Sequence, residues 1–144
     1  MEILTWHKSY NIGAADIDRQ HRDIFRLINR VHQALASETT TEKTGDILTQ
    51  LMTDVRGHFA DEEKVMERAA YPLLPKHRQK HQELMATLKP LMARCGENGN
   101  IVATRLLAFL KDWWQKHILE DDARIGRHLR TNGTQARGAE ISQR

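Results

Sequence analysis

The chain has 144 residues, 40% hydrophobic and 28% charged, with a formal charge of +3 and a single cysteine. That length suits one domain able to bury roughly two thirds of the surface its unfolded form exposes, so a metal is not needed merely to make it fold. The composition excludes a disulfide-stapled scaffold, and no apolar stretch approaches the roughly 18 residues of a membrane span, so no membrane insertion is expected.

Residues 1–13 carry no apolar signal core, because Trp6, His7, Lys8 and Ser9 interrupt any such run. Cys95, being alone, cannot form an internal disulfide, and a reducing cytoplasm is the expected location. The first helix is predicted over 18–37, where Ile24, Phe25, Ile28, Val31 and Leu35 recur at helical spacing and His21 falls on the same stripe. A second follows over 41–68, after a Ser/Thr-rich turn in which Thr41 or Thr44 offers a cap. Its stripe is Ile47, Leu48, Leu51, Val55, Phe59, Val65 and Met66, and His58 and Glu62 continue that face.

Tyr71, Pro72 and Pro75 then interrupt the pattern, and Pro75 fits an early position of a third helix that runs to residue 94. Its stripe is His77, His81, Leu84, Leu88 and Leu91, and Pro90 inside it predicts a kink. Residues 96–100 form a turn, and a fourth helix over 101–130 carries Val102, Leu106, Phe109, Leu110, Trp113 and His117 on one face. Alternating β pattern is missing throughout. Four helices with short connections predict an all-α, up-down-up-down four-helix bundle over 1–130, entered by an N-terminal arm of residues 1–17. From Arg124 onward five arginines stand against one acid, Glu140, so the rest of the chain is close to neutral. Residues 131–144 read as a disordered basic tail, and without aromatic interleaving or a recognised fold they give no reason to expect a nucleic-acid partner.

A single histidine on an apolar stripe is ordinarily a hydrogen-bonded core residue. Here five of them, His21, His58, His77, His81 and His117, join Glu62 and an aspartate at 121 or 122 on inward stripes. His58 with Glu62, and His77 with His81, are i, i+4 pairs, which set two ligand groups side by side on one helix face. Burying seven such groups without a cation would cost several kcal/mol in unpaired polar atoms and charge. The set therefore predicts a buried two-metal site. By contrast, His7, His32 and His128 lie off the stripes and are expected at the surface, Cys95 is read as a structural thiol, and Trp113 is read as packing over the site.

Five imidazoles shared by two metals divide three and two, and two carboxylates can bridge both ions. With one bridging oxide or hydroxide, the three-imidazole metal has six ligands and the other has five, leaving one octahedral position open to a diatomic ligand. Structural zinc sites are four-coordinate and closed, so zinc fits poorly. Imidazole with carboxylate suits iron, ahead of manganese. The aspartate stays open at this point: an ideal helix turns about 100° per residue, which puts i+4 about 40° and i+5 about 140° from the face of His117 and favours Asp121.

The motifs resemble the hemerythrin family. They are Trp6 with Tyr10 and Gly13, then Ile17-Asp18-Arg19-Gln20-His21, His58-Phe59-Ala60-Asp61-Glu62-Glu63 with Met66, His77-x-x-x-His81, and Trp113-x-x-x-His117-Ile118 followed by Asp122. The resemblance covers residues 3–130. It implies that His77, His81 and His117 hold one iron, His21 and His58 the other, and that Glu62 and Asp122 bridge them. It also implies reversible O2 binding at the open iron, with O2 as the partner. Asp122 in place of Asp121 would require a bulge or loosened turn near Leu119 and Glu120. An apolar shell of Phe25, Ile28, Phe59, Trp113 and Ile118 would withhold protons and water from bound ligand.

The expected function is thus O2 carriage, storage or delivery at a non-haem di-iron centre. The alternatives are a di-iron enzyme (oxygenase, peroxidase or NO-consuming) and an O2- or iron-sensing module acting with a partner in trans. Carboxylate-rich di-iron enzymes use Glu-x-x-His motifs on paired helices. This chain contains none, which favours binding over oxygenase chemistry.

Overall fold

The computed structural model describes residues 2–37, 41–98 and 100–132. A 3-10 turn, Lys8–Tyr10, precedes five helices: α1 (Ala15–Ala36), α2 (Thr41–Arg68), α3 (Leu74–Ala93), α4 (Ile101–Lys116) and α5 (Ala123–Asn132). A π-helical segment, His117–Asp122, joins α4 and α5 into one rod. There is no strand among the described residues. Consecutive helices pack on each other and α4 closes against α1, so α1 to α4 form a four-helix bundle. The fourth helix reaches Asn132, two residues past the boundary drawn at Arg130; residues 133–144 of the expected tail lie outside the described residues.

α1 begins at Ala15, three residues before the start expected at Asp18, so the last residues of the expected arm are helical. Asp16 and Asp18 occupy its first turn, where the exposed N–H groups and the helix dipole favour negative charge. Asp18, itself buried, also reaches back over the arm, accepting hydrogen bonds from the N–H of Ile12 at 2.8 Å and of Gly13 at 3.1 Å. Gly13 has φ +95°, a backbone angle that suits glycine and turns the arm into the helix. Further in, Asn29 Oδ1 accepts from the N–H of Ile3 and Leu4 at 2.9 and 3.0 Å, and its Nδ2 donates to the Leu4 carbonyl at 2.7 Å. The arm is therefore part of the core. Leu4 and Ile12 are buried, and the rings of Trp6, Tyr10 and Phe25 cluster at centroid distances of 5.0–5.3 Å.

The stripes of α1, α2 and α3 face inward as their periods require, with Ile47, Val65, Leu35 and Leu91 at the half-buried margins. Both cap candidates lie inside α2, Thr41 as its first residue and Thr44 in its first turn, and the residue before the helix lies outside the described residues. Pro75 sits in the first turn of α3, and Pro90 lies near its end. The inner face of α4 differs from the sequence expectation. Ala103, Leu107 and Trp114 are buried, whereas Phe109 is exposed and Trp113 is half-buried. Val102, Leu106, Leu110 and His117 are buried as expected, and packing within the bundle turns the inner face of α4 toward Leu107 and Trp114 and away from Phe109 and Trp113.

Buried apolar residues form two clusters. The larger includes Ile24, Phe25, Ile28, Val55, Phe59, Leu84, Leu106 and Trp114. The smaller joins Ile12, Ala14 and Ile17 to Met66, Tyr71, Ile125 and Leu129. His128, expected at the surface, is half-buried beside this second cluster: its Nε2 meets the Ala69 carbonyl at 2.8 Å and its ring lies edge-on to Tyr71. α5 thus clamps the α2–α3 turn. His7 is exposed and His32 half-buried.

Candidate metal centre

The candidate ligands lie between the two apolar clusters on every helix. Ile17 and Ile24 flank His21 on α1, Val55 and Met66 flank His58 and Glu62 on α2, and Trp114 and Ile125 flank His117 and Asp122. Leu84 closes the site above His77 and His81 on α3. All seven side chains are buried, Glu62 and Asp122 completely.

Their inward atoms converge. Two groups have ligand atoms within 4.8 Å of one another: Glu62, His77, His81, His117 and Asp122 form one, and His21, His58, Glu62 and Asp122 the other. The shared carboxylates divide their oxygens between these groups. Glu62 Oε1 lies 2.9 Å from His77 Nε2 and 3.1 Å from His81 Nε2, while Oε2 lies 3.5 and 3.3 Å from Nε2 of His21 and His58. Asp122 Oδ1 lies 3.1 and 3.2 Å from Nε2 of His77 and His117, while Oδ2 lies 3.2 Å from His21 Nε2.

Asp122 reaches this position through the π segment. There the N–H of Ala123 bonds back five residues to the Ile118 carbonyl, so the turn is wider than an α-helical one and brings residue i+5 over the face of His117. Asp121 points the other way, its Oδ2 accepting from His117 Nδ1 at 2.9 Å and its Oδ1 from Lys80 Nζ at 2.6 Å.

Several polar atoms remain without a hydrogen bond among the described residues: Glu62 Oε2 and both carboxylate oxygens of Asp122. Protons on the imidazoles cannot satisfy all contacts at once, because each Nε2 carries at most one hydrogen yet faces several acceptors. His21 Nε2 is 3.0 Å from His58 Nε2, and His81 Nε2 is 3.1 Å from His117 Nε2. On the outer side, Nδ1 of His58, His81 and His117 faces Gln20 Oε1, Glu63 Oε2 and Asp121 Oδ2 at 2.8, 2.8 and 2.9 Å. Acceptors there hold the imidazole proton on Nδ1 and leave the Nε2 lone pair aimed inward, which is the tautomer a metal requires. The donor set fits two cations sharing two carboxylates.

The buried carboxylates draw positive charge, whether proton or metal, to the same inward nitrogens. Burial alone would push the imidazoles down, but the carboxylates of Asp122 and Glu62, joined at His117 by Asp121, outweigh it and hold His21 up to about 9, His77 to about 10 and His117 to about 9. His58 is pushed down, by burial and by the charge on His21. Burial would raise the carboxylates, yet neighbouring imidazoles hold Glu62 and Asp122 well below the usual range. Asp121, opposed by burial, is brought to about 2 by His117 and Lys80. Protons and metal cations compete for the same nitrogens.

Aromatic rings close the site. Phe59 stacks on His81 at 3.7 Å and Trp113 on His117 at 4.3 Å, while Trp114 presents its face or edge to His21 and His58 at 5.8 and 5.6 Å. Trp114, Gln20 and Glu63 had no signal in the stripes. Gln20 and Glu63 each sit beside a candidate ligand in the sequence but back a histidine on another helix, a relation no periodicity within one helix reports.

The hemerythrin HHE cation-binding domain matches residues 13–129. Among curated relatives, a bacteriohemerythrin of Stenotrophomonas maltophilia is 31% identical over 122 residues, covering 85% of this chain and 78% of the relative. A bacteriohemerythrin of Pseudomonas aeruginosa is 30% identical, covering 85% and 79%. One from Ralstonia nicotianae is 26% identical over 137 residues, covering 95% and 96%.

Proposed function

The chain belongs to the hemerythrin family of cation-binding domains, and on that premise we propose that it binds O2 reversibly at a di-iron centre. His77, His81 and His117 would hold one iron, His21 and His58 the other, and Glu62 and Asp122 both. The observation that carries this reading is the division of the Glu62 and Asp122 oxygens between a three-imidazole and a two-imidazole group. The chemistry that iron would supply there, if bound, is a reversible exchange of electrons with O2.

The chain's own residues do the rest. Phe59, Trp113 and Trp114 pack on the imidazoles and exclude water. Asp18, a buried acid one turn from His21, has both oxygens committed to the arm's N–H groups. Glu63 and Asp121 touch only the outward nitrogens of their histidines. Bound O2 therefore meets no ready proton source, and release is favoured over turnover. The reading extends to carriage, storage or delivery of O2 by the bundle of residues 1–130, in a reducing cytoplasm that suits the lone Cys95.

The test is direct. The purified chain should hold two irons, His58→Ala and His77→Ala should lose iron or its visible absorption, and His32→Ala should not. Reduced protein exposed to O2 should gain an absorption band that fades under argon, with ferrous iron recovered. Steady O2 consumption with added reductant, at enzyme-like rates of about 1 per second or faster, would replace the carrier by the enzyme.

A further inference from the structure

The histidines of the two groups are backed unequally. On the three-imidazole side, His81 Nδ1 donates to Glu63 Oε2 at 2.8 Å and His117 Nδ1 to Asp121 Oδ2 at 2.9 Å. Each carboxylate is gripped in turn by a cation at the surface of α3: Glu63 by Arg78 at 3.0 Å and Asp121 by Lys80 at 2.6 Å. Two relays, imidazole to carboxylate to cation, thus run side by side from the site to one face of the bundle. On the two-imidazole side, His58 Nδ1 meets the neutral amide oxygen of Gln20 at 2.8 Å. His21 Nδ1 is buried with no hydrogen-bond partner among the described residues. Two anions stand behind one half of the site, and neither histidine of the other half hydrogen-bonds to an anion through its outward nitrogen.

An anionic acceptor draws the Nδ1 proton toward itself and makes Nε2 the stronger donor to a metal, and a stronger donor favours the more highly charged metal state. We propose that Glu63 and Asp121 are positioning residues that make the three-imidazole side the tighter holder of ferric iron, and that Arg78 and Lys80 moderate them by drawing on the same carboxylates. This rests on the di-iron reading above. Removing a carboxylate's charge and removing its cation should then act in opposite directions: Asp121→Asn weakens the pull on His117, whereas Lys80→Met frees Asp121 to pull harder. A merely structural role moves both variants the same way.

The experiment uses the iron-loaded full chain, with iron content, competition against a chelator and a redox titration followed by absorption. Two pairs are compared, Asp121→Asn with Lys80→Met and Glu63→Gln with Arg78→Met, so that one pair suffices if a variant fails to load. The exposed neighbour Glu120, changed to Gln, is the control. We expect ferric iron to be held about 10- to 100-fold more weakly in Asp121→Asn and Glu63→Gln. Their midpoint potentials should rise, those of Lys80→Met and Arg78→Met should fall, and Glu120→Gln should stay at the wild-type value. Loaded variants whose potentials do not move, or move in one direction within each pair, overturn the inference and leave the di-iron reading standing. Wild-type protein that takes up no iron overturns that reading itself.

Discussion

A methyl group added at Gly126 would lie 2.6 Å from the carbonyl oxygen of Ile12 and 3.1 Å from its Cα. The obstacle is backbone, which cannot swing aside as a flexible side chain can. Two effects compete: alanine is the better helix former by up to about 1 kcal/mol, while overpacking a close contact costs about 1–3 kcal/mol. The clash should win, because Ile12 is itself buried and pinned through Asp18. Gly126→Ala should therefore lower stability in chemical denaturation and loosen residues 2–14 to protease. An unchanged midpoint would show that the arm moves away freely. The same scale explains the two tryptophans. Trp113 covers His117 from the half-buried margin, whereas Trp114 is wholly buried, with its N–H lacking an acceptor among the described residues. Sequence spacing favours the first because it lies one turn before His117, and only the rotation of α4 within the bundle brings in the second.

At the scale of elements, α3 and the α4–α5 rod both depart from regular helix, with different consequences. Pro90 lacks an N–H, and its ring crowds the preceding turn, but it is exposed and lies more than two turns beyond His81. Pro90→Ala should restore a helical hydrogen bond and raise stability by about 1–3 kcal/mol with iron content unchanged. A fall in melting temperature would mean that the packing of α3 depends on Pro90. The π segment cannot be relaxed so cheaply. It presents Asp122 inward and Asp121 outward from consecutive positions, so one widened turn supplies both a candidate ligand and the support for His117.

For the molecule as a whole, the site sits where the two apolar clusters would otherwise meet. Without metal, two buried carboxylates rely on shared imidazole protons, and three of their oxygens lack a hydrogen bond among the described residues. A cation that binds only the folded state stabilises it by mass action, by about 4 kcal/mol at a free concentration 1,000 times the dissociation constant, which is on the order of 10 °C for a chain of this size. Calorimetry before and after chelation should show a fall of that order. Equal melting temperatures would mean that iron contributes nothing to the fold.

Much of this was legible before any coordinates. The four long helices follow from apolar periods of 3.6, and the pairs His58–Glu62 and His77–His81 follow from i, i+4 adjacency. Both are relations internal to one helix, which local chemistry determines. The neutral body and the absence of a long apolar span come from composition. Tertiary structure decided what depends on how one helix is turned against another. That covers Trp114 over Phe109 on α4, His128 against the α2–α3 turn, the arm as core, and Gln20 and Glu63 as supports for histidines across a helix boundary. It also settled which aspartate faces inward. Regular helix geometry favours Asp121, and the π turn brings in Asp122 while Asp121 pairs outward with His117 and Lys80.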